Sequence, residues 1–289
     1  MHHDPASPFG VWLVDKPAGP TSHDIVARIR SHLGRGIKVG HSGTLDPFAT
    51  GLLVVVVGRA TRLVPYLTGL DKTYLARIRL GATSATGDPE GPITVSGERL
   101  PSRSEVDAAV ARLVGPQRQR VPALAAVKVG GEALYARTRR GEEVEAPERD
   151  IVIHAAGVVA HDPGEATVDI EVSCSKGTYI RQLAADLGRV LGCGGYCERL
   201  RRTAVGSLRI EDAVPASAVA ATGGVDPRLA LAGALGERAL TPAEAIDAGH
   251  GRPVTGEAPG PVMLVAGDRL IAIAVPRDDG TLRPKVVLA

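Results

Sequence analysis

Aromatic side chains are scarce: the chain has one Trp, five Tyr and two Phe in 289 residues. A core must therefore be built from Val, Leu, Ile and Ala, and the 44% hydrophobic content is that of an ordinary globular protein. Long apolar runs are missing too. Stretches such as Leu52 to Val57 fall far short of the ~20 residues a membrane-spanning helix needs. The opening MHHDPASPFG has neither a basic segment nor an apolar one, so no signal peptide is expected. Cysteine is limited to Cys174, Cys193 and Cys197, an odd number that gives no disulfide framework. Cys193 and Cys197 are spaced C-x3-C, but no second pair of Cys or His stands at ligand spacing, so no metal is expected and the thiols read as reduced and structural. Together these absences point to a cytoplasmic globular protein, long enough for two domains.

Strong net charge is also lacking, at +2, but the cations are clustered. Residues 28 to 38 carry Arg28, Arg30, Arg35 and Lys38 and no acid. Residues 112 to 140 carry Arg112, Arg118, Arg120, Lys128, Arg137, Arg139 and Arg140 against Glu132 alone. A third cluster is Arg199, Arg201, Arg202 and Arg209. Such clusters suit a phosphate backbone, and they equally suit a solvated face.

Periodicity gives a mixed α/β chain. Strands are expected over Phe9–Val14, Leu52–Val57, Thr73–Leu80, Ile151–Ala160 and Thr167–Cys174. Helices are expected from a Ser22 cap to Leu33, from Ser104 to Gly115, and from Ile180 to a stop at Gly192. Residues 81 to 103 read mostly as loop, and 116 to 150 as a polar, basic segment with a short helical pattern near Leu134–Arg140. Residues 222 to 240 look like a connector, after which Thr241 opens a helix and Val262–Ala266, Leu270–Val275 and Lys285–Leu288 are short strands. The expected organisation is a catalytic-sized domain over 1–236 with a basic insertion at about 116–150, then a small β-rich domain over 237–289.

One loop carries the chemistry. Residues 40 to 51, GHSGTLDPFATG, set Asp46 among small and flexible residues directly before a buried strand. A carboxylate held so is a candidate nucleophile or base, although Asp-Pro also opens ordinary turns. The loop closely resembles the catalytic-loop motif of the TruB family, the bacterial tRNA pseudouridine-55 synthases. DKPAGPTSHD (15–24), DKTY (71–74) and CSKGTYIRQLAADLG (174–188) resemble further family motifs in the same order. Ser42 and Phe48 depart from the pattern, where Thr and Leu are expected.

The resemblance implies a pseudouridine-synthase-like α+β fold with a central, largely antiparallel sheet and a PUA-like C-terminal RNA-binding module. It implies conversion of a T-loop uridine to pseudouridine, with the base flipped into a pocket. That isomerisation breaks the C1′–N1 bond and rejoins the uracil through C5, so no cofactor is expected. Asp46 would be the catalytic carboxylate, Arg181 would pair with it and aim it, and Tyr74 would lie against the uracil. Tyr179 and Leu200 would line the pocket, His41 would help displace the base from the RNA, and Lys16 would be structural or a phosphate contact. Arg137, Arg139 and Arg140 are candidates for the RNA backbone. The expected partner is the T-arm and elbow of tRNA, with a monomer that needs no protein partner. A non-catalytic RNA-binding or tRNA-folding protein would use the same surface, but it would be free to lose Asp46, Tyr74 or Arg181. A guide-RNA-dependent subunit would usually carry larger extensions. A glycoside hydrolase would need two carboxylates about the bond, and only Asp46 stands at the candidate site.

Overall fold

The computed structural model describes residues 9–34, 36–122, 128–129, 132–133, 140, 146–219 and 222–288. Its first strand, β1 (Gly10–Lys16), pairs antiparallel with β3 (Thr50–Val57), and β2 (Val39–Ser42) adds to the same β3. β4 (Lys72–Leu80) is followed by a short hairpin, β5 (Ala82–Ser84) and β6 (Ile93–Val95). β7 (Gly115–Arg120) and the two-residue strands β8 (Lys128–Val129) and β9 (Glu132–Ala133) come next. β10 (Glu148–Asp162), β11 (Thr167–Cys174), β12 (Gly195–Val205) and β13 (Leu208–Arg209) complete the central sheet. Among the described residues that sheet has nine strands, in the order β1-β3-β12-β4-β11-β10-β7, with β2 on β3 and β13 on β12. It is mixed: β12 lies parallel to β3, while the other pairs are antiparallel.

β3 explains how the sheet is covered. Its side chains alternate between faces, and both faces are buried. Leu53, Val55 and Val57 join a core shared with α1 (Ser22–Leu33), α3 (Arg103–Ala111) and α4 (Ile180–Val190). Leu52, Val54 and Val56 face the other way, against Leu63 and Leu67 of a short 3₁₀ turn and α2 (Val64–Thr68). That second core also takes in Met263, Val265, Ile273 and Val286 from a small C-terminal sheet. The small sheet runs β14 (Gly236–Ala239), β16 (Val262–Ala266), β17 (Arg269–Pro276), β18 (Thr281–Val287), β15 (Val254–Thr255). Its other face packs Val262, Leu264 and Leu282 into a cluster of its own with Ala248 of the helix that follows Thr241.

Several sequence expectations are corrected. Thr21, not Ser22, caps α1, in a reciprocal box with Asp24. Ser22 is the first helical residue, and its hydroxyl donates to the Leu45 carbonyl and accepts from the Leu45 amide. α3 begins at Arg103 behind a Ser102 cap, because Ser102 and Glu105 form the same box. Residues 115–120 are an edge strand rather than loop, and 81–103 contains the β5–β6 hairpin. Within the stretch read as a connector, Pro227–Ala230 is a helical turn and Gly236–Ala239 pairs parallel with β16. The helical pattern near Leu134–Arg140 falls almost wholly outside the described residues.

α4 lies closer to β12 than ordinary side chains permit. A Cβ added at Gly188 would fall 2.1 Å from the backbone nitrogen of Gly195. Glycine at 188 therefore sets the distance at which α4 presents Arg181 to the sheet. Gly188→Ala should force the helix outward and cost about 3 kcal/mol, the upper range for over-packing a core. Thermal or denaturant unfolding of the purified variant measures this, and a loss near zero would show that the helix shifts freely.

Candidate active site

Three neighbouring strands converge where the loop of Asp46 enters β3. Gly51 on β3 is level with Arg202 on β12, and Arg202 is level with Tyr74 on β4. Gly51 has φ +100°, and a Cβ there would sit 2.3 Å from the Arg202 carbonyl, so only glycine fits this junction. The loop is tied down from several sides. Ser22 holds Leu45 as described, and Lys16, fully buried, donates to the carbonyls of Pro17 (3.0 Å), Pro47 (3.1 Å) and Ala49 (2.7 Å). Arg202 is likewise buried, and its Nε donates to Leu52 O (2.7 Å) and its Nη2 to Gly43 O (2.9 Å).

Asp46 thus projects from a fixed loop, with its side chain 35% exposed. The Nε of Arg181 lies 2.8 Å from its Oδ2, an ion pair off the alignment of a hydrogen bond. Arg181 stands in the first turn of α4 yet is buried. Its Nη1 donates to Thr86 O (2.9 Å) and to Oδ2 of Asp88 (3.2 Å). Asp88 is itself buried, and its Oδ1 accepts from the Thr86 hydroxyl and the Glu90 amide. A carboxylate–guanidinium–carboxylate row results, with one end open to the cleft and the other sealed under the β5–β6 hairpin. Gly-Asp-Pro-Glu at 87–90 reads as a plain turn in the sequence; nothing local marks Asp88 as a partner of a residue 93 positions away.

Asp46, Tyr74, Tyr179, Arg181 and Leu200 line one cleft of about 660 Å³. Tyr74 is nearly buried, and burial raises its pKa above the ordinary tyrosine value while the nearby Arg202 charge acts to lower it. Leu200 is an apolar wall, 7% exposed. Tyr179 is half-buried at the start of α4, where its amide donates to Gln119 Oε1 (2.8 Å) and its carbonyl accepts from Gln119 Nε2 (3.0 Å). The Arg149 guanidinium lies over its ring, 5.1 Å from the centroid, a cation–π contact. Gln119, Lys72, Arg149 and Arg202 were not singled out by sequence as parts of this site.

Two expected residues stand elsewhere. His41 is on β2 and is absent from the cleft lining; among the described residues its buried Nδ1 has no hydrogen-bond partner, and burial, then Arg202 and His23, lower its pKa. Lys16 is not a phosphate contact in this arrangement: its ammonium is enclosed and its donors are taken by three carbonyls. Lys16→Met keeps the length and removes those donors. The variant should lose ~2 kcal/mol of stability from unsatisfied carbonyls and about 10²-fold in rate through displacement of Asp46. Rate and melting measured together test this, and an unchanged rate would detach Lys16 from the loop. Of the proposed backbone contacts, Arg140 is exposed, while Arg137 and Arg139 lie outside the described residues. All three cysteines are buried free thiols.

Comparison with known proteins fits this arrangement. Residues 30–180 match the TruB family pseudouridylate synthase N-terminal domain, and 181–244 the tRNA pseudouridylate synthase B C-terminal domain. The chain is 44% identical to tRNA pseudouridine synthase B of Synechococcus sp. (strain WH7803), over 97% of this chain and 98% of that one. It is 45% identical to the protein of the same name from Thermobifida fusca (strain YX), with the same coverage. Among solved structures it resembles a chain of a Cbf5-Nop10-Gar1 complex, at 26% identity and TM-score 0.71, over 92% of this chain and 78% of that chain. An archaeal box H/ACA sRNP Nop10-Cbf5 complex shares the fold at TM-score 0.73 and 21% identity, over 98% and 87% of the two chains. The chain belongs to the TruB family of tRNA pseudouridine synthases.

Proposed function

We propose that this chain isomerises uridine-55 in the T-loop of tRNA to pseudouridine, with Asp46 as the carboxylate at the reacting nucleotide. The observation that carries the reading is the position of Asp46. It is held by a loop pinned at several backbone points, is ion-paired to a buried Arg181, and opens into a cleft walled by Tyr74, Tyr179 and Leu200. A uracil inside folded RNA is out of reach of such a cleft, so the base must leave its stack to enter. Tyr74 and Leu200 then offer an aromatic and an aliphatic face to the flat ring. Arg181, anchored by Asp88, fixes the direction of the Asp46 carboxylate before substrate arrives, which lowers the reorganisation needed during reaction. Once the glycosidic bond has broken, the closed end of the cleft retains the uracil while it turns to present C5.

The C-terminal sheet is proposed as a PUA-like module that adds RNA contacts. No helix among the described residues is long and apolar enough to cross a membrane. The test is incubation of the protein with unmodified tRNA, followed by mapping of pseudouridine along the RNA. Conversion confined to position 55 supports the proposal; conversion elsewhere, or none by a folded protein that binds tRNA, refutes it.

A further inference from the structure

The cleft holds a second charged feature that the Asp46–Arg181–Asp88 row does not use. Lys72 opens β4 and is 6% exposed, and Arg202 on β12 is 1% exposed. Both line the cleft beside Asp46 and Tyr74. They flank one point: a Cβ built on Gly43 would lie 3.4 Å from Arg202 Nη1 and 3.7 Å from Lys72 Cε. Among the described residues neither has a carboxylate within ion-pair distance. Lys72 Nζ donates to the carbonyls of Thr68 and Leu70, and Arg202 to those of Leu52 and Gly43. Buried Lys16 on β1 likewise has only carbonyl partners, but several other cations of the sheet and site are paired. Arg77 pairs with Asp169, Arg79 with Glu198 and Arg201 with Asp15, and Arg181 has two carboxylates. A neighbouring groove of about 680 Å³ is polar as well, but its Arg118 and Arg189 are paired with Glu148 and Asp186.

Two buried cations side by side with only neutral partners are costly, and the cost falls when an anion enters. We propose that Lys72 and Arg202 form a subsite that holds an anionic oxygen of the target nucleotide, an inference that rests on the cleft being the uridine site. Two oxygens of that nucleotide have the required chemistry. One is a phosphate oxygen flanking the flipped base. The other is a uracil carbonyl oxygen, which gains negative charge when the C1′–N1 bond breaks. Lys72 has a third N–H donor left for it, and Gly43, lacking a side chain, leaves the approach clear. The ionisation of Lys72 agrees with a subsite waiting for an anion. Burial, then the Arg202 charge, brings its pKa down to about 8, while Cys174 and Asp71 act to raise it and Lys176 to lower it. Cys174 does not titrate in that range, since burial pushes its thiol up to about 11.

The test uses the full chain and T-arm stem-loop RNA, with Lys72→Met beside the wild type and Lys72→Arg as the conservative rescue. Binding and the single-turnover rate at saturating RNA are both measured. Lys72→Met should lose at least about tenfold in one of them, and Lys72→Arg should recover part of that loss. Substrate substitutions identify the oxygen. A neutral methylphosphonate beside the target uridine should weaken wild-type binding and add nothing to the Lys72→Met defect if phosphate is the partner. A 2-thio- or 4-thiouridine should slow the wild type and leave Lys72→Met unaffected if the uracil oxygen is the partner. A folded Lys72→Met protein within twofold of wild type in affinity and rate would overturn the proposal, as would full additivity with every RNA substitution. A measurement on the wild type alone covers the case in which the variants do not fold. With ¹⁵N-labelled lysine, the Lys72 titration should move upward on RNA binding, and an unmoved titration overturns the subsite. Conversion of unmodified RNA by the wild type is scored separately, so failure of the activity is not confused with failure of this pair.

Discussion

Asp46→Asn should abolish turnover while tRNA binding stays within about threefold of wild type, a difference smaller than one phosphate contact. The substitution keeps the size and hydrogen-bonding capacity of the side chain and removes its charge. Arg181 remains anchored by Asp88 and Thr86, so the cleft has no reason to collapse. Stability should therefore change by less than ~1 kcal/mol, the usual outcome for a part-exposed side chain replaced by its isostere. The rate should fall at least ~10³-fold, about 4 kcal/mol of barrier. Single-turnover pseudouridine formation beside a binding titration separates the two effects. Near-wild-type product formation would remove Asp46 from the mechanism; a parallel loss of binding would mean that its charge organises the RNA site.

Much of this site was legible because four sequence segments resemble TruB family motifs; local chemistry alone marks only the loop of Asp46. Asp46 precedes a doubly buried strand, Tyr74 alternates on a strand, and Arg181 opens a helix with a strong apolar face. Their convergence was not legible. It depends on β12 entering the sheet between β3 and β4, parallel to one and antiparallel to the other. No periodicity announces that order, because β12 reads Glu-Arg-Leu-Arg-Arg through its middle and looks like a charged surface segment. Burial inverts that impression for Arg202, which faces the interior, while Arg201 points out to Asp15. Asp88 and Gln119 were hidden for the same reason: each sits in a segment that is polar and turn-like by composition, and each acquires a role only from a partner 60 or more positions away. The cap of α1 erred by a single position where two candidates adjoin, at Thr21-Ser22. There the acid three residues on decides, since Asp24 closes the box with Thr21.

Arg181 should prove as important to folding as to catalysis, and the two roles can be separated. Its guanidinium is buried between Asp46, which is partly open to solvent, and Asp88, whose side chain is 6% exposed. Arg181→Met fills similar volume but leaves Asp88 buried without its counter-charge. Removing one member of a buried pair costs about 3–5 kcal/mol, chiefly from the charge left behind. Adding Asp88→Asn removes that charge and keeps the acceptor for the Thr86 hydroxyl. The double variant should therefore be more stable than Arg181→Met by ~2 kcal/mol, a coupling within the range seen for residues in one network. Activity should not return, because Asp46 still lacks the group that aims it; the double variant should stay at least ~10²-fold below wild type. Denaturant unfolding of the wild type, both single variants and the double variant closes the thermodynamic cycle, with single-turnover rates measured on the same proteins. Additive losses would show that Arg181 and Asp88 are adjacent without being coupled. Recovery of rate together with stability would show that Arg181 serves the fold alone, leaving Asp46 to be positioned by its pinned loop.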